Sequence, residues 1–281
     1  MNIAAETFMH NGIAIKYRES GKGNVLIFLH GFGTSSYSWR YIYTPLSQKY
    51  KVIMLDLKGF GLSDKPKDGK YSVNDQADII VNFIRTKKIT SVTLIGHSLG
   101  GAVAWLTYVK LSEIDDNPIK SLILIDSAGY EQNIPSFIAT LRTPVINKLI
   151  LLLLPNDFSA KLVLRKAFFD DRKITREMIE TYAGYMELPG AHYALIKTAE
   201  QLIPNNVDEI TKKLKDIRIP VLIIWGEEDE IVPISIGQKF ENDIPNSKLI
   251  KISQSGHVPH EERPSETLRL ISDFLKTQYG M

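Results

Sequence analysis

The pentapeptide Gly96-His97-Ser98-Leu99-Gly100, followed by Gly101, sets a serine between glycines. A serine hydroxyl becomes a useful nucleophile only when a base takes its proton. The chemistry open to it is acyl transfer, in which it attacks a carbonyl carbon, forms a covalent intermediate and is released by water. The motif begins where the apolar run Val92-Thr93-Leu94-Ile95 ends, and a helical composition follows over residues 99–110. A strand-to-helix bend of that tightness leaves no space for side chains beside the serine. Glycines at 96 and 100 remove the Cβ clashes, so that Ser98 can take a strained conformation with its oxygen exposed. The amides that open the following helix point toward any anion formed there. A glycine-rich helix cap with an incidental serine would not require both the strand before and the helix after.

Six histidines could act as the base. His257, in Ser255-Gly256-His257-Val258-Pro259, directly follows the last strand-like run, and catalytic groups converge in loops at the carboxyl ends of strands in open α/β sheets. His260 is the neighbouring alternative. His97 adjoins the serine and is expected to point away from it. His30 is expected to tie down its own loop, His10 lies in an amino-terminal hairpin, and His192 falls in the helical stretch 129–217, where it could touch substrate but is expected to serve the surface or packing. The base needs a carboxylate to fix its tautomer and stabilise the imidazolium. Asp229 follows the run ending in Trp225, again at a strand end, and is favoured. Asp126, after Leu122-Ile123-Leu124-Ile125, is the competitor. Glu227, Glu228 and Glu230 are expected to form a solvated acidic loop.

Acyl transfer also needs a pocket for the oxyanion. His30-Gly31-Phe32-Gly33 follows the run at residues 25–29, and its glycines let the backbone come close enough for the Phe32 amide to aim inward. The Leu99 amide would be the second donor, each donor of this kind being worth about 3 kcal/mol. A metal reading of His257-Val258-Pro259-His260-Glu261 is disfavoured, because the proline does not suit the helix that such ligand spacing needs.

These groups must be held by a sheet. Short, continuous apolar runs recur at residues 25–29, 52–55, 92–95, 122–125 and 221–225, with a weaker one at 248–252. Runs of this kind suit strands buried on both faces of a parallel sheet. Asn11-Gly12 marks an antiparallel edge hairpin. Between the runs lie helical patterns. Ser72 and Asp75 form a capping box ahead of Ala77, Ile80, Val81 and Ile84, and Pro264 opens a last helix that presents Leu268, Ile271, Phe274 and Leu275. The alternation predicts an α/β fold.

The alternation stops between residues 129 and 217, where Pro135, Pro144, Pro155, Pro189 and Pro204 divide helix-friendly pieces. The chain is therefore read as a core of residues 1–128 and 218–281 with a helical lid, 129–217, inserted between two strands. Apolar lid residues, Leu152 and Phe168 among them, are candidates for the substrate slot, or else they pack the lid against the core.

Composition sets the outer bounds. The 281 residues are 44% hydrophobic and 23% charged, enough for a substantial core. No cysteine is present, which removes disulfides, thiolate metal sites and a cysteine nucleophile together, and fits a reducing compartment. A net charge of +2 is too balanced to advertise a nucleic-acid or anionic-membrane partner. The amino terminus lacks signal-peptide character, and the most apolar stretch, residues 149–154, is far short of the about 20 residues a membrane span needs. A soluble, cytoplasmic protein is expected, as a monomer or a homodimer.

With these residues in place, the chain resembles the α/β-hydrolases of the lidded, cofactor-free type. The resemblance rests on the HGFG at residues 30–33, DLKGFGLSDKP at 56–66, GHSLGG at 96–101, WGEED at 225–229 and GHVPHEERP at 256–264, in the order serine, aspartate, histidine. It covers nearly all of the chain outside the lid. It implies a mostly parallel eight-stranded sheet, with Ser98 as nucleophile, Asp229 as acid, His257 as base, Phe32 and Leu99 as oxyanion donors, and neither cofactor nor metal. The 56–66 loop would be structural. Dehalogenases and epoxide hydrolases of this fold use an aspartate where Ser98 stands. Iminopeptidases usually carry a GGSWG-like motif, and C–C hydrolases often have Asn where His97 stands. The expected activity is hydrolysis of small-molecule carboxylic esters with short to medium acyl chains. C–C hydrolysis of diketone-like substrates and a non-turnover ligand receptor remain alternatives, and a perhydrolase would use the same residues.

Overall fold

The computed structural model describes residues 3–113 and 117–280. The amino-terminal hairpin forms β1 (Glu6–His10) and β2 (Ile13–Ser20). Asn11 and Gly12 between them have φ of +49° and +82°, the pair of left-handed residues that a tight hairpin turn needs. The apolar runs become β3 (Val25–Leu29), β4 (Lys51–Leu55), β5 (Val92–His97), β6 (Ile119–Ile125) and β7 (Val221–Gly226), and the weaker run becomes β8 (Ser247–Ile252). They form one eight-stranded sheet in the order β1-β2-β4-β3-β5-β6-β7-β8. The β1/β2 and β2/β4 pairs are antiparallel, and every other pair is parallel.

Successive strand residues point to opposite faces, so a continuous apolar run feeds two cores at once. Ile27, Leu29, Leu94, Leu124, Ile223 and Trp225 enter one core, against the helices Val73–Thr86 and Leu99–Ser112. Leu26, Phe28, Ile95, Ile123, Leu222 and Ile224 enter the other, which Ile271 and Leu275 of the helix Pro264–Tyr279 close. The helix Leu99–Ser112 is buried almost all round, which its composition, apolar on every side, allows. The helix Val73–Thr86 opens with the expected box: the Ser72 hydroxyl accepts from the Asp75 amide at 3.1 Å, and Asp75 accepts from the Ser72 amide at 2.9 Å.

Between β6 and β7 the described residues form helices and no strand. Pro135 and Pro155 stand immediately before the helices Ser136–Arg142 and Asn156–Ala167, where a missing N–H costs nothing. Among the described residues no single helix is long and apolar enough to cross a membrane.

Because the central strands are parallel, their carboxyl ends share one edge of the sheet. That edge collects His30 after β3, Ser98 after β5, Asp126 after β6, Asp229 beyond β7 and His257 beyond β8.

Candidate active site

Ser98 sits at φ +51° and ψ −117°, a region that L residues rarely occupy. Backbone bonds on both sides hold it there. Its amide donates to the Ile125 carbonyl at 3.0 Å, and its carbonyl accepts from Gly101 at 3.0 Å, Ala102 at 3.2 Å and Ala128 at 3.0 Å. Strain of this kind persists only where the surroundings over-determine it. Glycine is required on either side by close approach: a Cβ on Gly96 would lie 2.3 Å from the Gly100 carbonyl oxygen, and one on Gly100 would lie 2.1 Å from that of Leu29. The Leu99 amide opens the helix and therefore has no partner within it. The Leu99 side chain is buried in the core, whereas Phe32 faces a cavity.

That cavity, of about 320 Å³, has Ser98, His257 and Phe32 in its wall. The rest is mostly apolar and comes largely from the segment between β6 and β7, with Ile138, Ile150, Leu151, Leu154 and Val163 contributing. Two sequence candidates for the slot lie elsewhere. Leu152 is 79% exposed and Phe168 is buried in the core, and neither belongs to the cavity wall. The neighbours Leu151 and Leu154 face inward instead. A helix turns its side chains by about a hundred degrees per residue, so apolar composition alone did not say which leucine faced the cavity.

Of the two carboxylates, Asp229 is the one bonded to His257, with its Oδ2 2.7 Å from Nδ1. Its Oδ1 accepts from the Ile231 and Val232 amides at 2.7 and 3.0 Å, so the carboxylate is fixed on both oxygens. The Asp229 contact engages Nδ1, leaving Nε2 as the ring nitrogen free to exchange a proton. The His257 backbone is held by its amide donating to the Ala167 carbonyl at 2.7 Å. Glu262 accepts from the Gly256 amide at 2.8 Å and from Phe169 and Asp170 at 3.1 and 2.7 Å, which pins the histidine loop to the segment between β6 and β7. Sequence reasoning did not single out Glu262.

Asp126 stands behind this pair, at φ +42°. Its Oδ1 accepts from the Gly226 amide at 2.9 Å, while its buried Oδ2 has no partner. Burial, with the Asp229 charge beside it, pushes its carboxyl well above the usual carboxylate range. A carboxyl that keeps its proton has a donor on that otherwise orphaned oxygen. Asp126, Asp229 and His257 bring possible ligand atoms within 4.8 Å of one another, the one such group among the described residues. Both Asp229 oxygens and His257 Nδ1 are already committed to each other and to amides, so a metal ion here would have to displace those bonds.

The remaining histidines divide clearly. His30 donates from Nδ1 to the Gly31 carbonyl at 2.8 Å and accepts the Leu57 amide on Nε2 at 2.9 Å, tying its loop to the end of β4. His260 lies between Trp39 and His97, with both ring centroids 4.5 Å away, and neither of its nitrogens has a partner. His10 reaches Asn82 and His192 reaches Asn156, both outside the cavity wall. His97, expected to point away from the serine, has a place in the cavity wall beside it. Its Nε2 donates to the His257 carbonyl at 2.8 Å, and a Cβ on Gly31 would meet its Nδ1 at 2.7 Å. The ring therefore joins the His30 loop to the His257 loop. Its place beside Ser98 was a signal of proximity, but the direction of the ring comes only from the packing. Burial, with His260 and His257 close by, holds its pKa well below the ordinary 6.5.

The acidic loop also departs in one respect from expectation. Glu227 and Glu230 are exposed, but half-buried Glu228 accepts the Ser255 amide at 3.0 Å and so braces the β7 loop against the β8 loop. Asp56 accepts the Ser36 and Leu62 amides at 2.7 and 2.9 Å, a structural use of the 56–66 loop.

The family described as alpha/beta hydrolase fold matches residues 24–264. The chain is 30% identical over 262 residues to the uncharacterized hydrolase YugF of Bacillus subtilis (strain 168), covering 92% of each protein. It is 28% identical to Lipase 1 of Psychrobacter immobilis, over 92% of this chain and 79% of that one. Among solved structures, a meta-cleavage product hydrolase from Pseudomonas fluorescens IP01 aligns with a TM-score of 0.82 and 23% identity, covering 98% of both chains.

Proposed function

The chain belongs to the alpha/beta hydrolase fold family, and on that premise we propose that it is a serine hydrolase cleaving carboxylic esters of short to medium acyl chain. One observation carries the reading. Ser98, strained at the bend after β5, shares a cavity wall with a histidine whose far nitrogen is bonded to a buried aspartate. The apolar wall supports an acyl chain as the occupant, and about 320 Å³ is near the lower end of ligand pockets, which supports a short one.

In this reading Ser98 Oγ attacks the ester carbonyl carbon while His257 Nε2 takes its proton. Asp229 holds the imidazole in the tautomer with Nδ1–H and stabilises the imidazolium. The Phe32 and Leu99 amides receive the oxyanion. The C–O bond to the alcohol breaks, and the alcohol leaves with the proton from His257. Water then attacks the acyl-serine by the same route and releases the acid. The helices of residues 129–217 act as the lid over this cavity, and no cofactor takes part.

A second reading, C–C hydrolysis of a diketone-like substrate, is favoured by one detail. Gln132 lines the cavity with a buried amide oxygen that has no partner, a group an acyl chain would leave unpaired and an enol hydroxyl could satisfy. Intact-mass spectrometry after fluorophosphonate treatment, alongside a panel of activated esters and diketones, separates these readings. The ester reading expects one adduct, on Ser98, and turnover of esters that falls as acyl chains become long or charged. No adduct, or turnover confined to the diketones, overturns it.

A further inference from the structure

Of the eleven large apolar side chains exposed among the described residues, eight lie between positions 145 and 169. They are concentrated on two consecutive helices, Ile146–Leu153 and Asn156–Ala167. Leu152 and Leu153 are 79% and 71% exposed. An apolar concentration of this density on a surface marks an interaction site. The first helix is apolar on two sides at once. Ile150 and Leu151 face the cavity, while Ile146, Leu149, Leu152 and Leu153 face away from the protein. A helix apolar on opposite sides is ordinarily enclosed, and here its outer side is open.

Charge identifies the occupant of that side. Between Ser136 and Ala167 the chain carries five basic residues, Arg142, Lys148, Lys161, Arg165 and Lys166, against the single acid Asp157. The whole chain is only +2, so the rest of the molecule is net acidic. Arg165 pairs with Asp171 and Lys166 with Glu230, while Arg142, Lys148 and Lys161 are exposed. Lys148 precedes Leu152 by four residues and Lys161 follows Phe158 by three, spacings that make neighbours on a helix surface. Cations interleaved with leucine and phenylalanine suit an interface where apolar groups enter an acyl layer and ammonium groups meet phosphate. A second copy of this chain, acidic elsewhere, would offer charge but no matching apolar face outside this same patch. The chain bends by 111° between the helices Ser136–Arg142 and Ile146–Leu153, and among the described residues no single helix is long and apolar enough to span a membrane.

We propose that the outer face of the helices Ile146–Leu153 and Asn156–Ala167 docks on an anionic lipid surface, so that the cavity opens at the membrane interface. Leu162 links the two, because it is 46% exposed and also lines the cavity. The balanced net charge, which at sequence level argued against an anionic membrane partner, averages a basic insertion with an acidic core.

The test is co-sedimentation of the full chain with vesicles of phosphatidylcholine alone and of phosphatidylcholine mixed with phosphatidylglycerol. The protein is expected to sediment with the mixed vesicles and to be released as salt rises. Leu152→Ser with Leu153→Ser should lower binding about tenfold or more. Lys148→Glu with Lys161→Glu should abolish the preference for the anionic vesicles. The leucine variant should keep the wild-type melting temperature and turnover of a water-soluble ester, since neither side chain lies in the core or the cavity wall. The readout does not depend on the identity of the reaction. Wild-type protein remaining in the supernatant with both vesicle types overturns the proposal. So does equal binding to both types, or binding unchanged by the leucine substitutions. A dimer in solution that the leucine substitutions dissolve, without vesicle binding, would assign the face to a second copy and overturn it as well.

Discussion

The sheet edge and the segment between β6 and β7 are built on different principles. At the sheet edge each candidate group is held several times over. Ser98 is fixed by four backbone hydrogen bonds, Asp229 by two amides and a histidine, and His30 through both ring nitrogens. Its neighbours leave no room for a methyl group at Gly96 or Gly100. The segment between β6 and β7, by contrast, leaves leucines open on one side and lines a cavity with the other. Where packing and hydrogen bonds over-determine a position, substitution should abolish function or folding. Where they do not, substitution should retune selectivity or surface behaviour.

The sharpest break of that contrast is at the serine. Ser98→Ala should lower kcat by about 10⁴-fold or more and remove fluorophosphonate labelling, with the melting temperature little changed. Retention of near wild-type turnover would move the nucleophile elsewhere. Next comes the pair of acids. Asp229→Asn should lower kcat by about 10⁴-fold, because an amide presents the wrong tautomeric partner to His257. Asp126→Asn should cost less than about tenfold, since an amide can accept from Gly226 and donate as the protonated acid does. Steady-state kinetics showing the reverse order would exchange their roles.

The glycines compare the two regions in stability. Gly100→Ala forces a Cβ to 2.1 Å from a backbone oxygen and should cost about 3 kcal/mol or more in denaturant unfolding. Gly184 lies within the helix Arg176–Met186 with open space where its Cβ would be, so Gly184→Ala should stabilise by about 1 kcal/mol. In the cavity wall, Leu151→Trp should reduce kcat/KM on the longer esters about tenfold while sparing acetyl esters. Equal loss on all chain lengths would place the acyl group elsewhere.

The smallest expected effect is on acid stability. Burial holds both His97 and His260 well below their ordinary pKa of 6.5, with like-charged neighbours adding to it, Arg40 in the case of His260. A depressed folded-state pKa means stability that is complete above about pH 6.5 and declines as pH falls below it. Thermal melts from pH 7.5 downward should show this acid limb, and His260→Phe should flatten it. A variant as acid-sensitive as the parent would assign the limb to other groups.

Much of the sheet was legible because a strand buried on both faces must be apolar at every position, and such runs stand out in sequence. The hairpin was legible because Asn-Gly suits two consecutive left-handed residues. The serine bend was legible because close backbone approach admits only glycine. The roles of His97, Glu228 and Glu262 were not, since each depends on reaching a loop distant in sequence. Glu262 and Phe169, for example, are joined only because the segment between β6 and β7 comes back to the histidine loop.

From the sequence came the element types, the order of candidate groups and the bend that exposes Ser98, all set by local sterics and periodicity. Tertiary structure decided how the Asp229 that the sequence favoured is brought onto His257 with Asp126 behind it, that Leu151 turns inward while Leu152 turns out, and that the His97 ring joins the His30 loop to the His257 loop. Those outcomes depend on the relative placement of segments far apart in the chain, where a shift of a few ångströms or a single helical step changes the partner.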